Sequence, residues 1–240
     1  IFNDNIEISN YNLQEPFMNY EITAIAVDNS YINFTMDTKY FLGSDRGLIQ
    51  VYNNFLNQRT WDTANSALTT NHVRSLASRL NQIVIGTDNG LFIASMDFDT
   101  LNILQHFTTQ NSNLPNDTIS KIAIVGADWT QNGDIWVGTN HSGAAKIKQD
   151  GSMVTFNTSN SLLPSNHINN IDLGTDYHYE DYLATARGFL AIDDTIQDVY
   201  TPANSGMMNS NISSVCNPEA LLNFPPKFVV GSIGSGFAIV

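Results

Sequence analysis

Two short sequence elements recur together along the chain, and this double repeat limits what the chain can fold into. The first element is an apolar run that ends in a turn of small residues, as in "IVIGTDNGLFIA" and "IWVGTNHSGAAKI". It occurs five times, centred on Gly43, Gly86, Gly138, Ala184 and Gly231. Successive copies lie 43 to 52 residues apart, which is a spacing typical of tandem structural repeats.

The second element is a polar turn that leads into a pair of apolar residues three positions apart. Its first apolar residues are Ile22, Val73, Ile119, Ile168 and Ile212. Two of the polar turns are nearly the same, "NSNLPNDT" and "NSLLPSNH". Because two independent markers repeat in the same phase, the chain consists of five related units.

The sequence of each unit predicts four short strands. The third unit contains "ISKIAIV", "DIWVGT", "AAKIKQ" and "MVTFNT", with a glycine-containing turn that suits a tight hairpin. Nowhere is there a convincing helical period. The sequence therefore predicts one all-β domain, a five-bladed β-propeller of four-stranded antiparallel blades. The predicted blade units are approximately residues 20–70, 71–116, 117–165, 166–210, and 211–240 together with 1–19.

The chain termini predict how the ring closes. The last unit stops at "GFAIV", after its third strand, while "DNIEISNYN" near the beginning occupies the position that a fourth strand holds elsewhere. We expect residues near Ile6 to Ile8 to pair as the outer strand of the last blade, so that the N-terminal strand closes it. The alternative is an arc of blades cut from a larger propeller.

The segment from Asn111 to Ile147, "NSNLPNDTISKIAIVGADWTQNGDIWVGTNHSGAAKI", resembles the two-component regulator propeller repeat. That repeat occurs in the extracytoplasmic sensor regions of bacterial hybrid histidine kinases. The resemblance implies a sensor-type β-propeller that binds oligosaccharides. It covers nearly the whole chain, but the repeated residues report blade construction and name no particular ligand. A ring of five units departs from the longer arrays of that family, and no kinase segment is present.

Charge and composition limit the classes of partner that the protein can bind. Ten Lys and Arg residues against 23 Asp and Glu residues give a net charge of −13, which argues against nucleic-acid and anionic-membrane surfaces. No apolar run is long enough for membrane insertion. A polar but weakly charged composition favours an extracytoplasmic protein, secreted, periplasmic or on the cell surface. The single cysteine, Cys216, excludes a disulfide framework and a Cys-rich zinc site, and we expect no cofactor.

Both repeated elements would emerge on one face of a propeller, around the mouth of its channel. Polar side chains gathered there suit a hydroxylated ligand, and Arg74 and Lys121 suit an anionic group. The predicted ligand-binding residues are Asp45, Arg46, His72, Arg74, Asp88, Lys121, His141, His167, Asn170 and Arg187. Two alternatives stay open: Asn and Asp in turns often bond their own backbone, and channel cations can simply balance nearby carboxylates. Histidines in non-adjacent units do not predict a metal site.

These features predict a non-catalytic recognition or scaffold domain that binds a glycan or a protein partner through its loop faces. No catalytic residue is nominated, because no sequence signature of a hydrolase or nucleotide-binding site is present. One alternative is a glycoside hydrolase or lyase with rim acids and His72, His141 or His167 at the channel mouth. Another is a structural module of a surface assembly or filament. Further domains of a longer chain are also expected partners. The aromatic segment 174–184 predicts either a ligand contact or a cover for its blade.

Overall fold

The computed structural model describes residues 19–32, 35–52, 57–79, 82–96, 100–124, 133–173, 180–193, 197–216 and 228–239. These residues form nineteen β-strands in five antiparallel sheets, and strands that follow one another in the chain are neighbours in each sheet. The predicted all-β architecture of antiparallel four-stranded sheets is therefore confirmed. The described part of the chain contains no helix with the length and apolar character of a membrane span.

The first sheet consists of β1 (Ile22–Ile32), β2 (Thr35–Ser44), β3 (Gly47–Tyr52) and β4 (Asn57–Trp61). The second consists of β5 (Val73–Arg79), β6 (Gln82–Thr87), β7 (Gly90–Met96) and β8 (Leu101–Phe107). The third consists of β9 (Ile119–Ile124), β10 (Ile135–Thr139), β11 (Ala144–Ile147) and β12 (Met153–Phe156). The fourth consists of β13 (Ile168–Asp172), β14 (Asp181–Thr185), β15 (Gly188–Ile192) and β16 (Gln197–Tyr200). The fifth consists of β17 (Ile212–Cys216), β18 (Val229–Ser232) and β19 (Gly236–Ile239).

The middle strands of the internal sheets are buried on both faces. All five residues of β10, β14 and β15 are buried, whereas the fourth strands β12 and β16 keep exposed residues. A strand covered on both sides needs a continuous apolar run instead of an alternating pattern. This explains why second-strand sequences such as "IWVGT" contain almost no polar residues, and it places the apolar core between consecutive sheets.

A glycine in the second strand allows each of the first three sheets to approach the next, whereas the fourth sheet has Ala184 at the corresponding position. A Cβ atom on Gly43 would lie 2.7 Å from Val73, one on Gly86 would lie 2.7 Å from Ile119, and one on Gly138 would lie 2.6 Å from Ile168. These distances are shorter than a carbon–carbon contact allows. We call these residues junction glycines, because at each position the first β-branched residue of the following sheet occupies the space of the missing side chain.

The repeated "NSxLP" sequence builds the turn between sheets. Asn111 accepts a hydrogen bond from the backbone N–H of Thr108 at 2.7 Å and donates one to the carbonyl of His106 at 2.9 Å. The Ser112 hydroxyl donates to the Thr108 carbonyl at 2.6 Å, and the turn delivers Leu114 into the core. The same two hydrogen bonds recur at Asn65, Asn160 and Asn204. The repeat is thus explained by local turn chemistry.

The five sheets form a series in which the first strand of each sheet lies against the first strand of the next, from β1 through β5, β9, β13 and β17. Within the described residues the series does not close into the predicted ring. Ile22 of the first sheet is exposed, and the space beside Gly231 in the fifth is approached only by side chains of its own sheet. The predicted closing strand near Ile6 to Ile8 lies outside the described residues.

Candidate functional site

The two repeated elements meet at one end of the sheets, which we call the rim. The rim consists of the turns between second and third strands and the residues that precede each first strand. Backbone hydrogen bonds join them: the N–H of Gly90 donates to the carbonyl of Asp117 at 2.7 Å, and that of Gly143 to Asn166 at 2.9 Å. Gly90 has a φ of 100°, which favours glycine in this tight turn. Because these bonds link neighbouring sheets, the rim is continuous from the second sheet to the fourth.

Three predicted site residues of the second sheet form a charged cluster on the rim. The His72 Nδ1 atom lies 2.6 Å from one Asp88 carboxylate oxygen, and the Arg74 Nε group donates to the other. All three side chains are about one-third exposed. Partial burial alone would raise the pKa of Asp88, but hydrogen bonds and charge attraction from Arg74 and His72 outweigh it, so the pKa lies below its usual value.

The structure also brings together two histidines from adjacent sheets. The imidazole rings of His141 and His167 lie edge to face, with 5.7 Å between their centroids. Nearby, the Asn116 amide donates to the Ser142 hydroxyl at 3.3 Å. Among the residues that the structure describes, no group of three His, Cys, Asp or Glu side chains is placed to hold a metal ion. Each imidazole has two ring nitrogens that can hydrogen-bond to ligand oxygens.

Of the other predicted site residues, some contact neighbouring groups and some have no partner among the described residues. Asp45 accepts a hydrogen bond from the backbone of Glu21 at 3.0 Å, as expected for a turn residue, and Arg46 lies over the Tyr20 ring at 5.1 Å. Lys121 and Arg187 are exposed and Asn170 is half-buried, and within the described residues these three side chains have no hydrogen-bond or ion-pair partner. Lys121 and Arg187 are therefore available to a ligand.

Some polar residues of the first strands join sheets together. The Thr23 hydroxyl donates to the carbonyl of Val73 in the next sheet. The Asn169 amide donates to the carbonyl of Ile212 at 2.6 Å and to the Asn211 side chain at 3.1 Å. The sequence pattern identified these residues as polar but could not show that they bridge sheets, because their partners lie about fifty and forty residues further along the chain.

A buried ionic cluster lies at the other end of the sheets and was missed by sequence reasoning. The carboxylate of Asp181 accepts hydrogen bonds from the Trp136 indole at 2.6 Å and from Lys146 at 3.3 Å, and Lys146 also lies 3.4 Å from Asp134. Asp181 and Trp136 are buried between the third and fourth sheets. A buried carboxylate requires such partners, so the cluster has a structural explanation.

The aromatic segment predicted at 174–184 is described only from residue 180. Tyr182 is fully buried and packs edge to face on Phe228, with 5.2 Å between the ring centroids, so this tyrosine covers its sheet and does not face a ligand. Residues 174–179 lie outside the described part of the chain.

An open groove lies at the end opposite the rim, between the second and third sheets. Its lining includes Gln82, Leu104, Gln105, Lys148 and Asp150. The Leu104 side chain is exposed there beside amide and charged groups. A groove with one apolar wall and several hydrogen-bonding groups is a second surface on which a ligand could bind.

These observations define an all-β protein built of five consecutive antiparallel sheets with a polar rim. No family model matches the chain, and no curated protein matches it. Solved structures do. One is the extracellular domain of the putative hybrid two-component system BT3049 from B. thetaiotaomicron, with a TM-score of 0.62 and 21% identity over 80% of this chain and 25% of that one.

A second similar structure is PorZ, an essential surface component of the type-IX secretion system of Porphyromonas gingivalis. Its TM-score is 0.62, with 13% identity over 90% of this chain and 32% of PorZ. At these identities the similarity shows a shared fold. The chain spans between a quarter and a third of the length of these two structures. The resemblance of the repeats to sensor propellers thus has support at the level of the fold.

Proposed function

We propose that this protein is a non-catalytic recognition module outside the cytoplasm, and that its rim binds a glycan. The observation that carries the proposal is the gathering of polar side chains from three consecutive sheets on one surface: His72, Arg74 and Asp88, then His141, then His167. The two similar solved structures are described as an extracellular domain and a surface component, which supports the location.

The chemistry of the rim fits a hydroxylated ligand with acidic groups. Arg74 and Arg187 supply N–H donors in a protein whose net charge is −13, Lys121 supplies another from within β9, and Asp88 supplies an acceptor. Arginine and lysine bind carboxylates, while imidazole and amide groups bond sugar hydroxyls. In this proposal the five sheets are consecutive propeller blades, and the rim is the edge on which their loops gather.

Calorimetric titration with a panel of soluble neutral and uronic-acid polysaccharides tests the proposal. We expect Arg74→Ala and His167→Ala each to weaken the binding of one polysaccharide at least tenfold, a loss of about 1.4 kcal/mol. Lys148→Ala, in the opposite groove, is the matched control and should bind as the wild type does. The reverse pattern would move the site to the groove. Failure of every polysaccharide to bind would reject a glycan and favour a protein ligand.

A lyase is the second candidate, and one observation favours it. His72 is held by a carboxylate in the manner of an oriented general base, with Arg74 beside it to neutralise an acidic sugar. The measurement is the ultraviolet absorbance of an unsaturated product when the same polysaccharides are incubated with the protein. An absorbance increase that His72→Ala abolishes would replace the recognition proposal with an enzymatic one.

A further inference from the structure

One side of the fifth sheet has the construction of a covered surface but has no cover among the residues that the structure describes. Strand pairing places Val229 opposite Ile239 and Gly231 opposite Phe237, so these four residues share one side of the sheet. We call this side the last face. Phe237 is 74% exposed and Ile239 62% exposed, which is unusual for large apolar side chains that share one surface.

The second sheet shows what such a face is built to contact. Its corresponding residues are Val84, Gly86, Leu91 and Ile93, and Leu91, which pairs with Gly86 as Phe237 pairs with Gly231, is 0% exposed. The third sheet covers them, with Ile119 seated against Gly86. The last face therefore repeats a known sheet-to-sheet interface, including its junction glycine.

The complementary surface is exposed at the other end of the same chain. Ile22, Ile25 and Val27 on β1 are all exposed, Ile25 by 65%, although Ile119, the counterpart of Ile22 in the third sheet, is fully buried. We call these three residues the first face. Other apolar residues of the first sheet, Ile49 and Val51, are already buried, so the available surface is a strip along β1.

Charge distribution also favours an interface on the fifth sheet. Residues 205–216 and 228–239, the described residues that form this sheet and its preceding turn, include no Asp, Glu, Lys or Arg. The chain as a whole has a net charge of −13. The centres of protein interfaces are depleted of charge in the same way, and exposed sheets in monomers are normally protected by charged residues.

We propose that the first face of one copy of this protein docks on the last face of a second copy. Ile22 of one molecule occupies the space beside Gly231 of the other, as Ile119 does beside Gly86 within the chain. The two faces are different, so the contact is head to tail, and each bound copy presents a new last face. Repetition therefore gives a closed assembly or a filament, depending on the rotation between copies.

Sedimentation velocity over a range of protein concentrations tests this with two single variants. The wild type should form a series of oligomers, whereas Ile25→Lys and Phe237→Lys should each remain monomeric, because each places a charge in one face. An equimolar mixture of the two variants should form dimers and nothing larger, since each retains one intact face. Leu104→Lys changes a leucine on β8 that is 53% exposed; it is the control and should assemble as the wild type does.

Cross-linking identifies which molecule supplies the first face. With Ile25→Cys and the native Cys216, a short bismaleimide should join separate molecules into covalent dimers and larger species. A cross-link within one molecule would show that the chain's own first sheet covers the last face, and would overturn the proposal. A wild type that stays monomeric at every concentration, or a variant mixture that fails to dimerise, would overturn it as well. Circular dichroism of each variant confirms that it is folded.

Discussion

The junction between the second and third sheets and the last face of the fifth sheet share one sequence pattern but differ in their surroundings. At the junction, Gly86 is in contact with Ile119 and Leu91 is fully buried. On the last face, Gly231 has only serine side chains of its own sheet nearby, and Phe237 is exposed. The comparison shows that the glycine and its apolar neighbours serve the adjoining sheet. Their contribution to stability should depend on whether that sheet is present.

The largest expected difference concerns the residue that contacts the junction glycine. Ile119→Ala should lower the free energy of unfolding by about 2–5 kcal/mol, because it leaves a cavity in a filled junction. Ile22→Ala, at the corresponding exposed position, should cost less than about 1 kcal/mol. Urea denaturation in the Phe237→Lys background, where copies are expected not to associate, measures both. Equal losses would show that Ile22 is covered in solution.

Substitutions at Gly86 and at its counterpart Gly231 should differ in the same direction, with a smaller difference in stability. A Cβ on Gly86 meets the branched carbon atoms of Ile119, so Gly86→Ala should cost about 1–3 kcal/mol through overpacking. A Cβ on Gly231 meets the Ser214 hydroxyl, which can rotate away, so Gly231→Ala should change stability by less than about 0.5 kcal/mol. Thermal melting of the two variants in the Ile25→Lys background, where copies are expected not to associate, checks this. A large loss at Gly231 would mean that its space is occupied.

The turns should show no such difference between the two regions. Asn111 and Asn204 make the same two hydrogen bonds, one before the third sheet and one before the fifth. Replacing either residue by Ala should cost about 1–2 kcal/mol, because two backbone groups lose their partners. Asn113→Ala, an exposed position in the first of these turns, is the control and should leave the urea midpoint unchanged. Unequal losses at Asn111 and Asn204 would mean that the turn depends on the neighbouring sheet.

The smallest expected effect on stability concerns the charged cluster of His72, Arg74 and Asp88 on the rim, because these side chains are as exposed as those of a surface ion pair. The pKa of Asp88 lies below its usual value, so its ionised form stabilises the fold. This contribution is full above the unfolded-state pKa of about 3.9 and is lost as the pH falls through the lower folded-state pKa. The stability difference between wild type and Asp88→Asn should therefore be present at about pH 5 and shrink below pH 4. We expect less than about 1 kcal/mol, and a difference that grows as the pH falls below 4 would contradict the assignment.

Sequence reasoning was most successful where the information is local and repeated. Glycine turns and apolar runs predicted the antiparallel sheets, and the "NSxLP" element indicated a turn that the hydrogen bonds of Asn111 confirm. The burial of Asp181 against Lys146 could not be predicted, because the two residues belong to different sheets and the repeat does not report their contact. Periodicity identifies which residues face a neighbouring sheet, but it does not report a contact that occurs once.

Sequence reasoning also failed to predict single contacts on the rim. The prediction placed His72, Asp88, His141 and His167 on one face but did not pair them. Whether His72 and Asp88 meet depends on the lengths and directions of two side chains within the second sheet. Whether His141 and His167 meet depends on the offset in position between the third and fourth sheets. That offset is set by core packing and cannot be read from spacing alone. The predicted ring closure depended on a segment outside the described residues.

The serial arrangement of sheets has a consequence for how the molecule opens. Each sheet lies mainly against its immediate neighbours, so the cost of detaching one sheet is its own stability plus one or two contacts. The fifth sheet has one such contact within the described chain, and the third has two. Backbone amides of β18 should therefore exchange with deuterium before those of β10, in a gradient that follows position in the series and not strand length. Any partner that binds the last face would reverse this order at that end.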